Sequence, residues 1–221
     1  MFALDSFYKQ YQTDTTTINV AGRTFHMLLP RYLDEFIKSG DVFDNFPLWA
    51  KLWKASWVLS GYLADKAVEK NKVFIEIGAG VGLVSIVAWS FGHRITMTEH
   101  NADALQFAHA NAHLNNCPQL PIIELDWNQP KLKGRFDYIV ASEVVYKTTD
   151  FTPLVKLFQS YLKPDGEIIL ASEMRKTSGE FYKYLQPKFK IKTLKKILCS
   201  EDEKTLVILF RLKFQPKSQG A

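Results

Sequence analysis

The stretch that decides the fold is Phe74-Ile75-Glu76-Ile77-Gly78-Ala79-Gly80-Val81-Gly82-Leu83. An apolar, strand-forming run leads directly into three alternating glycines, and an apolar helix-forming run follows. Because glycine lacks a Cβ, such a loop lets backbone amides come within contact distance of a ligand. The N-terminal end of the following helix lies beside the same point. The stretch predicts a ligand-binding turn; the alternative, a plain strand-to-helix turn, does not require three glycines.

The glycine spacing separates classes of nucleotide site. The dinucleotide fingerprint GxGxxG would place its third glycine at position 83, where this chain has Leu83. This difference disfavours an NAD-dependent oxidoreductase. A GxxxxGK[ST] motif is also absent from the sequence, which excludes a P-loop.

Strand and helix patterns alternate after the glycine loop, which predicts a doubly wound α/β fold with a mostly parallel seven-strand sheet. The expected strands are 73–77, 94–99, 122–125, 136–141, 167–171, 190–198 and 205–212. The expected helices are 52–68, 83–91, 102–114, 151–162 and 178–186, with a turn at 163–166. The connection 199–204 is too short for a parallel crossover, so the last two strands are expected to form an antiparallel hairpin.

The N-terminal part is predicted to be an addition to this sheet. Two β-prone runs, 15–20 and 23–29, flank Ala21-Gly22 and predict a hairpin. A short helix is expected over 31–39, ending at Gly40. We therefore divide the chain into an N-terminal extension (1–46), a core domain (47–214) and a frayed polar tail (215–221).

Acidic and aromatic residues follow the expected second and third strands. Glu99 closes the second strand about 20 residues after the first glycine, where a carboxylate can bridge the two hydroxyls of a ribose. His100, next to it, can touch the same ribose. Asp126 and Trp127 suit an adenine, since an indole stacks and a carboxylate reaches an exocyclic amine. A solvated strand end for Glu99 and ordinary packing for Trp127 are the alternatives.

Composition limits the function classes. The chain has 221 residues, 47% of them hydrophobic and 23% charged, which is typical of a globular protein and not of a disordered one. Its two cysteines exclude a disulfide scaffold and favour a reducing cytoplasm. Apolar runs are strand-sized and the N-terminus shows no signal-peptide pattern, so no membrane segment is expected. A net charge of +5 does not by itself indicate nucleic-acid binding.

Taken together, Glu-x-Gly-x-Gly-x-Gly, Glu99, Leu125-Asp126-Trp127 and the terminal hairpin resemble the class I, seven-strand S-adenosylmethionine-dependent methyltransferases. The resemblance covers roughly residues 46–212 and implies S-adenosyl-L-methionine as the cofactor. The cofactor-binding residues that we predict are Trp53, Glu76, Gly78, Ala79, Gly80, Gly82, Glu99, His100, Asp126, Trp127 and Ser142.

Two further features resemble a narrower branch, the family-16 protein-lysine methyltransferases. In Trp49-Ala50-Lys51-Leu52-Trp53, the resemblance places Trp53 over the methionyl end of the cofactor; a core aromatic is the alternative. Ala141-Ser142-Glu143-Val144-Val145-Tyr146 matches the branch's Asp-x-x-Tyr motif, with Glu143 in place of the aspartate. Lys54 stands where the branch often has a proline.

The resemblance implies methylation of a lysine presented by a protein. Glu143 is expected to bind the ammonium, orient the amine or relay its proton, and Tyr146 to line the lysine channel. An ion pair of Glu143 with Lys147 or a neighbouring lysine, and plain packing of Tyr146, are the alternatives. A small-molecule amine methyltransferase and a non-catalytic cofactor-binding module also remain open.

Nucleic-acid methylation is disfavoured, because the chain lacks a Pro-Pro-aromatic motif after the fourth strand and a cysteine at the central strand ends. No metal site is expected. His109 and His113 have helix-face spacing, but no HExxH motif accompanies them, and solvated positions are the simpler interpretation. Lysines between positions 188 and 196 are expected on a solvated sheet edge, with a docking surface for an acidic protein or for nucleic acid as the alternative.

Overall fold

A seven-stranded sheet with helices on both faces forms the body of the protein. The computed structural model describes residues 2–37, 46–199 and 204–216. Its strands are β1 (Thr13–Val20), β2 (Arg23–Pro30), β3 (Val73–Glu76), β4 (Arg94–Glu99), β5 (Ile122–Glu124), β6 (Phe136–Ser142), β7 (Leu162–Glu173), β8 (Phe189–Cys199) and β9 (Lys204–Phe214). Its α-helices are α1 (Leu4–Gln10), α2 (Lys54–Asp65), α3 (Leu83–Ser90), α4 (Ala102–Leu114), α5 (Phe151–Tyr161) and α6 (Lys176–Leu185).

The sheet confirms the predicted fold class. Its strand order is β5-β4-β3-β6-β7-β9-β8. Strands β3 to β7 pair in parallel. Strand β9 lies between β7 and β8 and is antiparallel to both, so the last two strands form the expected antiparallel hairpin. The lysine-rich β8 is therefore an edge strand, as predicted.

Successive side chains along each strand point to opposite faces of the sheet, so each face has its own hydrophobic core. Phe74 points to the core that includes Leu59 of α2 and Phe107 of α4. Its neighbour Ile75 points to the opposite core, with Phe158 of α5. Both faces are thus covered, as in other parallel sheets.

The N-terminal hairpin packs on the same core as α3 and α4 and is connected to the glycine loop by one side chain. Ala21 and Gly22 both have positive φ, which fits the two-residue turn of a twisted hairpin. Buried Asn111 of α4 accepts a hydrogen bond from the Leu28 amide (2.7 Å) and donates to the carbonyls of Leu28 (3.1 Å) and Val81 (2.9 Å). The boundary at residue 46 stays a prediction.

Some local predictions were wrong. Residues 31–37 contain only a 3-10 turn, Asp34–Phe36, and the rest of the expected 31–39 helix, with Gly40, lies outside the described residues. The helix Leu4–Gln10 was not predicted; Phe7 anchors it against Phe107.

The expected helix 52–68 is shorter and begins at Lys54, which leaves Trp53 in the extended segment before it. The expected turn at 163–166 is part of β7, whose register against β6 shifts between Phe136 and Tyr138. The chain bulges there without leaving the sheet. Most of the predicted 215–221 tail lies outside the described residues.

Candidate active site

A cavity of about 360 Å³ opens at the carboxyl ends of β3, β4, β5 and β6. The loops that follow these four strands line it, together with residues from the segment 48–56 that leads into α2. Its size falls within the range of about 300–1,000 Å³ that is usual for ligand sites. Parallel α/β sheets bind ligands at this edge, where the connections from neighbouring strands diverge.

Most of the predicted site residues meet in this cavity. The lining includes the predicted residues Trp53, Gly78, Ala79, Gly80, Glu99, His100, Asp126, Trp127, Ser142, Glu143 and Tyr146. It also includes residues that the motif analysis did not select, among them Leu48, Lys51, Ser56 and Asp150.

Three amides of the glycine loop donate hydrogen bonds within the protein. The Ala79 amide donates to the Thr98 carbonyl (2.9 Å) and the Gly82 amide donates to the Ala79 carbonyl (3.0 Å). The Gly80 amide donates to Glu99 Oε2 at 2.8 Å. These three amides are therefore not free to donate to a ligand, although Ala79 and Gly80 line the cavity and the expected close approach of the loop to a ligand stays a prediction. A diphosphate ligand would therefore receive no hydrogen bond from these three amides.

Gly80 is required by a close approach of the chain to itself. Its φ is +55°, and a Cβ at this position would lie 2.9 Å from the Trp49 carbonyl oxygen. The segment before α2 therefore rests directly on the glycine loop, and this contact brings Trp53 to the cavity. The Trp53 indole donates to the Leu48 carbonyl at 2.9 Å, which fixes its ring.

Glu99 is held in a fixed orientation at the end of β4. Besides the Gly80 amide, its carboxylate accepts hydrogen bonds from the amides of His100 (2.7 Å) and Asn101 (3.0 Å), both through Oε1. A carboxylate can accept about four hydrogen bonds, so Glu99 retains capacity toward the cavity. His100 lies beside it with an exposed side chain.

Asp126 and Trp127 form the wall beyond β5. Asp126 Oδ1 accepts hydrogen bonds from the Asn128 amide (2.8 Å) and the Asn128 side chain (2.9 Å). The backbone hydrogen bond is the main cause that lowers the Asp126 pKa. The carboxylate is thus ionised and oriented beside the half-buried indole of Trp127.

Two predicted cofactor ligands, Glu76 and Gly82, lie outside the cavity lining. Glu76 is fully buried, and its Oε2 accepts from the amide (3.0 Å) and the hydroxyl of Ser85. Its Oε1 has no hydrogen-bond partner among the described residues, and burial raises its pKa to about 7. A Cβ on Gly82 would lie 2.7 Å from Met97 Cε. Both residues therefore support the loop from behind.

Glu143 lies at the far end of the cavity in a strained backbone conformation. Its φ is +50°, which is unfavourable for a residue with a Cβ, and only 7% of the residue is exposed. Its Oε1 accepts a hydrogen bond from the Glu173 amide. Its Oε2 lies 3.2 Å from the Arg175 guanidinium. Glu143 is thus paired with Arg175, a partner that was not predicted from the sequence.

Burial raises the Glu143 pKa, although the Glu173 amide and the charge of Arg175 oppose the shift. Burial and the nearby Glu143 also raise the pKa of Tyr146. The Tyr146 ring lies near that of Trp53, with ring centroids 6.3 Å apart. Arg175 lies over both rings. Arg175 was not among the predicted site residues. Its position just after β7, the strand beside β6, is the signal in the sequence that could have indicated it.

The charge of the lining suits a cationic ligand. The carboxylates among the lining residues are Glu99, Asp126, Glu143 and Asp150, against the Lys51 ammonium and the adjacent Arg175 guanidinium, which pairs with Glu143. A sulfonium fits such a cavity, whereas a diphosphate would meet repulsion as well as engaged loop amides.

The two helix histidines do not form a metal site. Phe2 stacks on His109 (centroids 5.3 Å apart) and packs against His113 (5.6 Å). They are half-buried under the N-terminus, so the solvated positions expected for them were wrong. Across the described ranges, no cluster of three or more His, Cys, Asp or Glu side chains could hold a metal ion. No helix within those ranges combines the length and apolarity that a membrane span requires.

Comparison with known proteins decides the family. A family model described as "Lysine methyltransferase" matches residues 47–188, which include every strand and loop that lines the cavity. The chain belongs to the lysine methyltransferase family. Members of this family are S-adenosylmethionine-dependent enzymes, so the resemblance inferred from the motifs is confirmed.

Curated relatives of this lysine methyltransferase carry matching names. "EEF1A lysine methyltransferase 3" of Xenopus tropicalis is 29% identical over 66% of this chain and 67% of its own length. "Protein N-lysine methyltransferase METTL21A" of Mus musculus is 33% identical over 64% of this chain and 69% of its own length.

Solved structures agree in fold. A ribosomal protein L11 methylase from Lactobacillus delbrueckii subsp. bulgaricus superposes with a TM-score of 0.61 at 20% identity, over 89% of this chain and 98% of that one. TYW2 of P. horikoshii, solved in complex with MeSAdo, has a TM-score of 0.59 at 16% identity, over 90% of this chain and 71% of that one. At these identities the likeness concerns the fold alone.

Proposed function

We propose that this lysine methyltransferase binds S-adenosyl-L-methionine in the cavity at the ends of β3 to β6 and methylates a lysine side chain of a protein. The observation that carries the proposal is the Glu99 carboxylate, which three backbone amides orient at the edge of an acid-lined cavity. Family membership supports the reaction class.

The cofactor contacts follow from the position of each side chain. Glu99 would accept hydrogen bonds from the ribose hydroxyls, with His100 at their edge. Trp127 would stack on the adenine and Asp126 would accept from its exocyclic amine. Gly78, Ala79 and Gly80 would form the wall beside the amino-acid end, and Ser142 and Trp53 would lie at the end where β6 emerges.

When bound, the cofactor supplies a methyl group on a sulfonium, which reacts by direct displacement. The protein's task is to hold a neutral amine in line with that methyl group, which can contribute about 7–11 kcal/mol of the barrier. A lysine has a free pKa of about 10.4, so it must lose its proton before it attacks. Glu143, whose pKa burial raises, is suited to hold the ammonium and accept a proton. Tyr146 can hydrogen-bond the amine.

The acceptor is proposed to be a protein because the curated relatives are named as protein methyltransferases. A cytoplasmic location stays a prediction from the cysteine content.

Ligand-induced thermal stabilisation tests the cofactor. We expect S-adenosylhomocysteine to raise the melting temperature in a concentration-dependent manner and NAD to leave it unchanged. Stabilisation by NAD alone would overturn the assignment.

Methyl transfer tests the acceptor. The protein is incubated with radiolabelled S-adenosylmethionine and a cell lysate, and the products are separated into proteins and small molecules. We expect label in protein, and a loss of at least about tenfold for Glu143→Gln with cofactor binding retained. Asp165→Asn, which removes an exposed carboxylate near the amino end of β7 and away from the cavity lining, is the matched control. Label confined to small molecules would favour the amine methyltransferase alternative.

A further inference from the structure

Arg175 occupies a built cation site at the mouth of the acceptor end. Its guanidinium lies 3.2 Å from Glu143 Oε2 and 3.7 Å from Glu173 Oε2. Its central carbon lies 5.1 Å from the ring centroid of Trp53 and 5.8 Å from that of Tyr146. Two carboxylates and two aromatic faces thus surround one positive charge.

These are the groups that bind ammonium ions in proteins. Aromatic faces attract Lys, Arg and ligand cations, and the attraction is stronger where water is excluded. The Glu143 side chain is only 4% exposed, so its charge requires a cationic partner in the folded protein. The lysine ammonium that the proposed reaction needs has the same requirements and would enter at the same residues, Glu143 and Tyr146.

The Glu143 carboxylate is more deeply buried than the Arg175 guanidinium. Glu143 is fixed by its Glu173 hydrogen bond, in a backbone conformation with φ of +50°. Such strain persists only where the surrounding structure imposes it. The Arg175 side chain is 35% exposed and belongs to the connection between β7 and α6. Its backbone amide donates a hydrogen bond to the Ser178 hydroxyl at 3.1 Å, a contact that does not depend on the position of the guanidinium.

We propose that Arg175 occupies the place of the acceptor ammonium in the free enzyme, and that a substrate lysine binds by displacing it. This inference rests on the proposed function. Arg175 is then a specificity-determining residue: only an acceptor whose other contacts offset the loss of the internal ion pair gains access to Glu143. A short lysine side-chain analogue without such contacts should bind poorly to the wild-type protein.

The test uses n-butylammonium, which reproduces the lysine side chain, and the protein saturated with S-adenosylhomocysteine. Binding is measured by calorimetry for the wild type, Arg175→Met and Arg175→Lys. Methionine keeps an unbranched stem against the rings and removes the charge. We expect Arg175→Met to bind the probe about tenfold more tightly, because the competing ion pair and cation–π contacts are gone. Arg175→Lys should resemble the wild type.

Two controls test whether the effect depends on the charge of the probe and on the position of the substituted arginine. n-Butanol, which is neutral, should bind all variants equally weakly. Arg31→Met removes an arginine from an exposed ion pair with Asp14 on the N-terminal hairpin and should leave probe affinity unchanged. Equal or weaker binding of n-butylammonium to Arg175→Met would overturn the proposal, since a purely structural arginine would give that result.

A measurement on the wild type covers the case in which Arg175→Met does not fold. The Arg175 side-chain NMR resonance should move toward its solvent value as n-butylammonium is added, because the guanidinium leaves the two rings. An unmoved resonance with the probe bound would refute displacement. Methyl transfer to lysate proteins by the wild type is scored separately, so the proposed function and the displacement of Arg175 can fail independently.

Discussion

The Gly80 amide donates a hydrogen bond to Glu99 Oε2 at 2.8 Å, so the residue that closes β4 is tied to the loop that follows β3. This bond joins the two sequence features that most strongly indicated a nucleoside site. It also means that the loop and the carboxylate act as one unit, because displacing either changes the other.

Glu99→Ala should weaken S-adenosylhomocysteine binding by at least about tenfold, since it removes the ribose acceptor and releases the Gly80 amide. Calorimetric titration measures this. Asp165→Ala, which removes an exposed carboxylate near the amino end of β7, should change affinity less than about twofold. Similar losses in the two variants would mean that Glu99 does not bind the ribose.

Gly80→Ala should destabilise the protein more than Gly134→Ala. Both glycines have positive φ, so alanine costs about 1–2 kcal/mol at either position through backbone strain. Only at Gly80 does the new Cβ also meet a backbone atom, the Trp49 carbonyl oxygen at 2.9 Å; at Gly134 it meets nothing within 4 Å. Thermal unfolding and cofactor affinity report the difference, and equal effects would refute the Trp49 contact.

Because Glu76 is buried, we expect the free energy of unfolding to decrease as the pH rises. Burial raises its folded pKa from 4.5 to about 7, so between these values the folded state keeps a proton that the unfolded state releases. The stabilisation is complete below about pH 4.5 and is lost progressively up to about pH 7, by roughly 3 kcal/mol. Glu76→Gln should remove this slope in urea unfolding between pH 5 and 8. Asp165→Asn serves as the exposed control, and an unchanged slope in Glu76→Gln would contradict the assignment.

Asp137 should stabilise the folded protein more at neutral pH than at low pH, which is the opposite of the pH dependence expected for Glu76. Burial opposes its ionisation, but hydrogen bonds from Lys163, the Val73 amide and Lys72 prevail and lower its pKa to about 2. Its contribution is therefore present above about pH 4 and is lost as pH falls toward 2. Asp137→Asn should cost about 2 kcal/mol at pH 7 and little at pH 2.

The matched control for Asp137→Asn is Asp14→Asn, which alters the exposed pair with Arg31 and should cost less than about 0.5 kcal/mol. Equal destabilisation by the two substitutions at pH 7 would show that burial of Asp137 does not matter.

Much of the site could be predicted because parallel strands end at one edge of a sheet. Once the strand–helix alternation is recognised, the residues after β3, β4, β5 and β6 must converge, and this brought Gly80, Glu99, Asp126 and Glu143 to one cavity. The glycine spacing separated the site from a dinucleotide site. These inferences depend on local pattern and on chain connectivity, both of which are present in the sequence.

Only the tertiary structure determined which of these side chains line the cavity and which contact other protein groups. Glu76 belongs to the same motif as Gly80, but it turns into the core toward Ser85, and Arg175 reaches Glu143 from a connection far along the chain. Such pairings depend on strand register, side-chain rotamers and burial, which arise only when separate elements pack together. The sequence therefore determined the fold and the location of the cavity, and packing determined which charged groups pair there, as Glu143 does with Arg175.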